Sequence, residues 1–130
     1  MATLRRERKS AKGVMKAGKK AQFLYKPTCT TCRKARRFMK KKGFQLYFRD
    51  LAKQRLSADE LEKLIGRRDH KQFLNPRNDL YRQRKMKDNP PSRSEAIRLM
   101  AKEPNLIRRP VILAGGRIVL GFDENGIAKL

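Results

Sequence analysis

Apolar residues along this chain fall into short runs set apart by charge, and each run carries a readable period. Gln22-Phe23-Leu24-Tyr25 is aromatic, β-prone and halted by Pro27, the pattern of a buried strand. From residue 30 the spacing changes: Ala35, Phe38 and Met39 recur at i, i+3 and i+4 among basic residues, which predicts an amphipathic helix over 30–42 with Gly43 as its C-terminal cap. Phe44 to Phe48 alternates again, predicting a second strand, parallel to the first if the helix is a crossover.

Further along, Ser57-Ala58-Asp59-Glu60 is a capping box, followed by Leu61, Leu64 and Ile65 as a buried stripe up to Gly66. The polar stretch 67–89 predicts two short helices joined around Asn75-Pro76. Ser92-Arg93-Ser94-Glu95 repeats the capping logic, with Ile97, Met100 and Ala101 facing inward and Pro104 as the stop. Val111–Ala114, Gly115-Gly116 and Arg117–Leu120 read as a β-hairpin on a two-residue turn. A last helix starts at Glu124. The order is β-α-β, a helical insert, then β-β-α: an α/β chain of thioredoxin-like topology with extra helices in its middle.

Composition divides the chain. Residues 1–20 are basic, with Glu7 the lone acid, and Leu4, Val14 and Met15 are too few to anchor a packed helix; disorder is the default expectation, with an organelle transit peptide or a misassigned start as alternatives. Residues 21–130 form the expected domain. No apolar run is long enough for a membrane span, and no apolar stretch of the secretory type follows the basic start. Thirty-five Lys and Arg against twelve Asp and Glu leave a net charge of +23, a field that attracts polyanions nonspecifically. No zinc finger, Arg/Gly repeat or aromatic RNA-binding signature points to a dedicated nucleic-acid reader.

The candidate chemistry is Cys29-Thr30-Thr31-Cys32, which holds both cysteines of the chain. The pair follows a predicted strand and opens a predicted helix, where free N–H groups and the positive helix end stabilise a thiolate. With Arg33 and Lys34 adjacent, Cys29 is the expected nucleophile and Cys32 the residue that resolves a mixed disulfide. A zinc site needs four ligands, and His70 alone remains, in a charged stretch that reads as surface; no metal is expected. Two cysteines three apart suit a reducing, cytoplasmic setting better than a secreted scaffold. Pro110 stands just before the hairpin, where an edge-strand proline is the plain alternative to a cis-proline facing the cysteines.

Tyr25-Lys26-Pro27-x-Cys29-x-x-Cys32-Arg33-Lys34-Ala35, then Leu106-Ile107-Arg108-Arg109-Pro110-Val111-Ile112, then Gly121-Phe122, resemble the arsenate reductase/Spx family over residues 21–130. The resemblance implies Cys29 as the attacking thiol, Arg109 and Arg77 as oxyanion ligands, and a structural cis-proline at Pro110. Arginine forks suit tetrahedral oxyanions; general solubility is the competing explanation for both arginines. The reductase branch usually has serine where Cys32 stands, and its third arginine is missing at Leu120-Gly121-Phe122. The expected function is thus an arsenate reductase-like, thiol-dependent oxidoreductase with no bound cofactor. Its external reductant is glutathione with glutaredoxin, or thioredoxin. The alternative is an Spx-like redox-sensing regulator that binds RNA polymerase.

Overall fold

The computed structural model describes residues 19–130, so the basic segment 1–18 lies outside the described residues. Four strands build one sheet: β1 (Lys20–Tyr25), β2 (Gln45–Asp50), β3 (Val111–Ala114) and β4 (Arg117–Leu120), in the order β2-β1-β3-β4. Helices are α1 (Thr30–Lys41), α2 (Ala58–Ile65), α3 (Asp79–Gln83), α4 (Arg93–Lys102) and α5 (Glu124–Ala128), with 3-10 turns at His70–Phe73 and Pro104–Leu106.

β1 and β2 run parallel, with Phe23 opposite Phe48, because α1 carries the chain back to the same end of the sheet. β3 lies antiparallel to β1, with Ile112 opposite Phe23, and β4 returns along β3. That return is a two-residue turn with φ +55° at Gly115 and +79° at Gly116, values that side-chain-bearing residues resist. The mixed sheet and its five helices are the α/β thioredoxin-like arrangement the hydrophobic pattern implies.

Alternation along β1 sets the two cores. Phe23 faces α1 and α5, packing with Ala35, Met39, Ile112 and Ile127. Leu24 faces the other way, into a larger cluster with Leu61 and Ile65 of α2, Ile97 and Met100 of α4, and Phe73, Leu106 and Ile107. The capping box at Ser57 forms as read: Ser57 Oγ accepts from Glu60 N at 3.1 Å while Glu60 Oε1 accepts from Ser57 N at 3.0 Å. At Ser92 only half of the box forms: Ser92 Oγ accepts from Glu95 N at 3.2 Å, while the Glu95 carboxylate turns to Arg98 and Arg84.

Three local expectations shift. The first strand opens at Lys20, inside the stretch read as tail, because Lys19 O accepts from Gln45 N at 2.8 Å and ties that backbone to the sheet. Pro104 ends α4 as expected but also starts a 3-10 turn, since a proline at the first position forfeits no hydrogen bond. His70 is half-buried rather than a surface residue, and its Nε2 pairs with Pro91 O at 2.9 Å.

Candidate active site

The Cys29 side chain sits where β1 hands over to α1. A turn closed by Cys29 N donating to Lys26 O at 3.1 Å reverses the chain after Tyr25, and Cys29 then serves as the N-cap of α1 with φ −86° and ψ 116°. An N-cap side chain normally accepts a hydrogen bond from the first turn, and here Cys29 Sγ accepts from Cys32 N at 3.4 Å. Cys29 is half-buried, whereas Cys32, one turn in and pinned against the sheet beside Ala35, is only 2% exposed.

The two thiols titrate in opposite directions. Burial pushes Cys29 up, but hydrogen bonds from the Cys32 thiol and backbone N–H, with the charge and hydrogen bond of Arg109, bring it below the ordinary thiol value. Cys32 is pushed up to about 12, first by burial and then by donating to Cys29 beside its negative charge; a backbone hydrogen bond at Lys26 opposes part of this. Of the pair, Cys29 is therefore the thiol that gives up its proton first. Arg33 and Lys34, read from sequence as the nearby cations, are exposed; the cation acting on Cys29 is Arg109, eighty residues along the chain.

A cleft of about 750 Å3 opens in front of Cys29. Arg77, Arg108 and Arg109 line it together with Asn75 and Asn105. Both sequence-nominated arginines thus meet the candidate nucleophile in one cavity. Arg77 arrives on the loop after Pro76, where Asn75 Oδ1 accepts from Arg77 N at 3.1 Å, and Asn75 N donates to Leu106 O at 2.7 Å. Arg109 precedes Pro110 through a cis peptide bond, and Pro110 is buried. Arg109 Nη1 donates to Asn105 Oδ1 at 3.1 Å, while its Nε is buried with no hydrogen-bond partner. A buried guanidinium N–H with nothing to donate to is costly unless a ligand accepts from it.

Three cleft residues escaped the sequence reading. Asn105 is the hub: its Oδ1 accepts from Arg109 and also from Lys26 Nζ at 2.5 Å, and its carbonyl accepts from Asn75 Nδ2 at 3.1 Å. Lys26 is thereby tied to the arginine loop. Arg108 is the third: its stem passes Gly121, where an added Cβ would lie 3.8 Å from Arg108 Cδ, and the residue lines the cleft beside Arg109. The doubled arginine before Pro110 was the available signal, but nothing local shows that both side chains turn to one side. Among the described residues no three His, Cys, Asp or Glu side chains gather into a metal-binding group, and no helix is long and apolar enough to cross a membrane.

A thiol with a lowered pKa, a buried thiol beside it and three arginines lining one open cavity can together hold a tetrahedral anion and attack it. Comparison with known proteins fits this geometry. The family model described as ArsC family matches residues 24–130. The chain is 31% identical over 103 residues to the global transcriptional regulator Spx of Streptococcus mutans, covering 78% of this chain and 75% of that one. It is 32% identical over 107 residues to the uncharacterized protein YusI of Bacillus subtilis, covering 79% and 91%. Among solved structures, an arsenate reductase (ArsC) related protein from Brucella melitensis superposes with TM-score 0.67 at 25% identity, covering 80% of this chain and 88% of that one. An arsenate reductase from Vibrio cholerae superposes with TM-score 0.74 at 19% identity, covering 86% and 98%, and so shares the fold.

Proposed function

Because the chain belongs to the ArsC family, we propose that it is a thiol-dependent oxidoreductase of the arsenate reductase type, with Cys29 as nucleophile and Cys32 as resolving thiol. One observation carries the reading: the unpartnered, buried Nε of Arg109 stands in the same cleft as a thiol whose pKa is lowered, so the cavity offers both an oxyanion seat and a nucleophile.

Arg109, Arg108 and Arg77 hold the oxyanion through charge-assisted hydrogen bonds. The thiolate form of Cys29 bonds through sulfur to the central arsenic(V) of dihydrogen arsenate, one oxygen leaves as water with both protons of the anion, and a thioester-like adduct remains. Forming the adduct removes the negative charge on Cys29, and with it two of the three influences that hold Cys32 high. Cys32 sulfur then attacks Cys29 sulfur. The sulfur–arsenic bond breaks, its electron pair leaves with arsenic as arsenite, which takes up the Cys32 proton, and a Cys29–Cys32 disulfide is left. An external dithiol of the glutaredoxin or thioredoxin class, or glutathione, reduces that disulfide; a reducing cytoplasm is the setting in which both cysteines rest as thiols.

A second reading keeps the disulfide and drops the turnover. Cys32 stands where reductases of this kind usually carry serine, and the Streptococcus mutans relative named Spx is 31% identical. In that case the disulfide is the signal of a redox-sensing regulator whose partner is RNA polymerase.

Arsenate-dependent NADPH oxidation separates the two, run with glutathione–glutaredoxin and with thioredoxin regeneration. Turnover that disappears in Cys29→Ser supports the reductase and names its donor. Reversible disulfide formation without turnover in either system overturns it in favour of the switch, and RNA polymerase binding by oxidised and reduced protein is then the assay.

A further inference from the structure

Charge is not spread evenly over this fold. Between Lys19 and Arg49 the chain carries eleven Lys and Arg and no Asp or Glu. Seven of those cations, Arg33, Lys34, Arg36, Arg37, Lys40, Lys41 and the cap Lys42, lie on α1, and every one is exposed. The opposite side of the helix, Cys32, Ala35 and Met39, is buried against the sheet. Among the described residues every ion pair is made to an acid of α2, α3 or α4: Arg49 to Glu60, Arg93 to Glu62, Arg82 to Asp79, and Arg84 and Arg98 to Glu95. α2 and α4 pack on the other face of the sheet from α1. The outer face of α1 is thus a cationic stripe with no acid to neutralise it.

The stripe works against the helix that bears it. Arg33 with Arg37, Arg36 with Lys40, and Arg37 with Lys41 are like charges at i, i+4, pairs that destabilise a helix. Arg33 also closes the first turn, near the positive end of the helix, and no acidic residue stands there. A partner that neutralises the stripe removes both penalties.

We propose that the outer face of α1 is a nucleic-acid binding surface that tracks the phosphate backbone without reading sequence. Its composition decides between nucleic acid and an acidic protein. Protein interfaces have an apolar centre, and lysine is depleted from them. The middle of this stripe, Arg33, Arg37, Lys40 and Lys41, contains no apolar residue and runs about 12 Å along the helix at 1.5 Å per residue. Duplex DNA presents one negative charge per roughly 1.7 Å of its axis, a density that such a row can engage at several points together. At the β2 side of the stripe, Arg36 lies 4.8 Å from the centre of the Phe48 ring, which is 45% exposed and extends the surface as a flat ledge. The proposal stands independently of the redox reading, because none of its side chains takes part in the cleft.

The test is fluorescence anisotropy of a labelled short DNA duplex with the full chain, titrated at several salt concentrations from about 50 to 200 mM. One variant replaces Arg33, Arg37, Lys40 and Lys41 with Gln. A control replaces Lys53, Lys63, Arg67 and Lys87 with Gln, removing the same charge from exposed positions elsewhere. Glutamine has a helix propensity close to that of Lys and Arg, so circular dichroism should be unchanged. Residues 1–18 remain in all three proteins, and their charge cancels in the comparison. The α1 variant is expected to bind about tenfold or more weakly. Its slope of log K against log salt should be shallower by about 0.9 for each phosphate it no longer neutralises, up to about 3.6 for the four cations; the control keeps most of both. Equal weakening in variant and control, no binding by the unmodified chain, or competition by polyglutamate as strong as by DNA each overturn the proposal.

Discussion

Asn105 gives the cleft its sharpest test. A single carbonyl oxygen, Oδ1, accepts from two cations that come from opposite ends of the chain, Lys26 and Arg109. Replacing Asn105 with Ala removes both bonds. Hydrogen bonds to charged groups contribute about 1.5–3 kcal/mol when well buried, and these three side chains are half-buried, so about 1 kcal/mol each is the reasonable figure. Asn105→Ala should therefore lose about 2 kcal/mol of stability, a Tm decrease of roughly 8 °C for a chain of this size. With Arg109 released, sulfate or arsenate affinity should fall about tenfold, equivalent to about 1.4 kcal/mol. Asn105→Asp separates the two effects. Its carboxylate keeps the acceptor and pairs more strongly with Lys26 and Arg109, so stability should hold or rise. The same charge competes with an incoming oxyanion, so affinity should fall at least as far as in the Ala variant, and the Cys29 pKa should move up. Urea denaturation and calorimetric sulfate titration of the two variants measure both quantities. Undiminished sulfate binding by Asn105→Asp, or an Asn105→Ala protein unchanged in both measurements, would refute the role given to Arg109.

The cysteine pair predicts a pH asymmetry. In alkylation followed by mass spectrometry, Cys29 should react at lower pH than an ordinary thiol, and Cys32 should stay unlabelled until the pH approaches about 12. Equal rates for the two would contradict the shared-proton arrangement. The same shift bears on stability: the folded chain holds the Cys32 proton above 9.0, the value taken for a free thiol, while the unfolded chain releases it. Stability from this group is therefore complete below that pH and is lost as pH rises toward about 12. Under reducing conditions Cys32→Ala should show a smaller alkaline decline than the unmodified chain, and an equal decline would refute the assignment. Met39, fully buried where α1 meets the sheet, should cost about 3 kcal/mol when truncated to Ala, measured by urea unfolding. A loss under about 1 kcal/mol would mean that α1, and the thiolate at its start, is not docked through this side chain.

Much of this architecture is written locally and needs no tertiary information. A period of two or of 3.6, a Ser-x-x-Glu box or a Gly-Gly turn depends only on residues a few positions apart, and each is legible for that reason. The Cys-x-x-Cys pair belongs to the same class, because a strand ending at Tyr25 and a helix starting at Thr30 force Cys29 onto the helix start. Chain position also places Arg109 beside Pro110 and Arg77 beside Pro76, but only as members of a crowded set of arginines. What turns them into a site is long-range. Lys26 and Asn105 are 79 residues apart, Arg108 faces Gly121 across the hairpin, and Asn75 bridges to Asn105. No periodicity links such pairs, since their proximity comes from β3 pairing with β1 and from two helices packing beneath it. The cation that lowers the Cys29 pKa shows the difference most directly. Local sequence offers Arg33 and Lys34, one step from the motif, but the helix turns both outward to water, while the antiparallel pairing of β3 with β1 brings the distant Arg109 to the thiol.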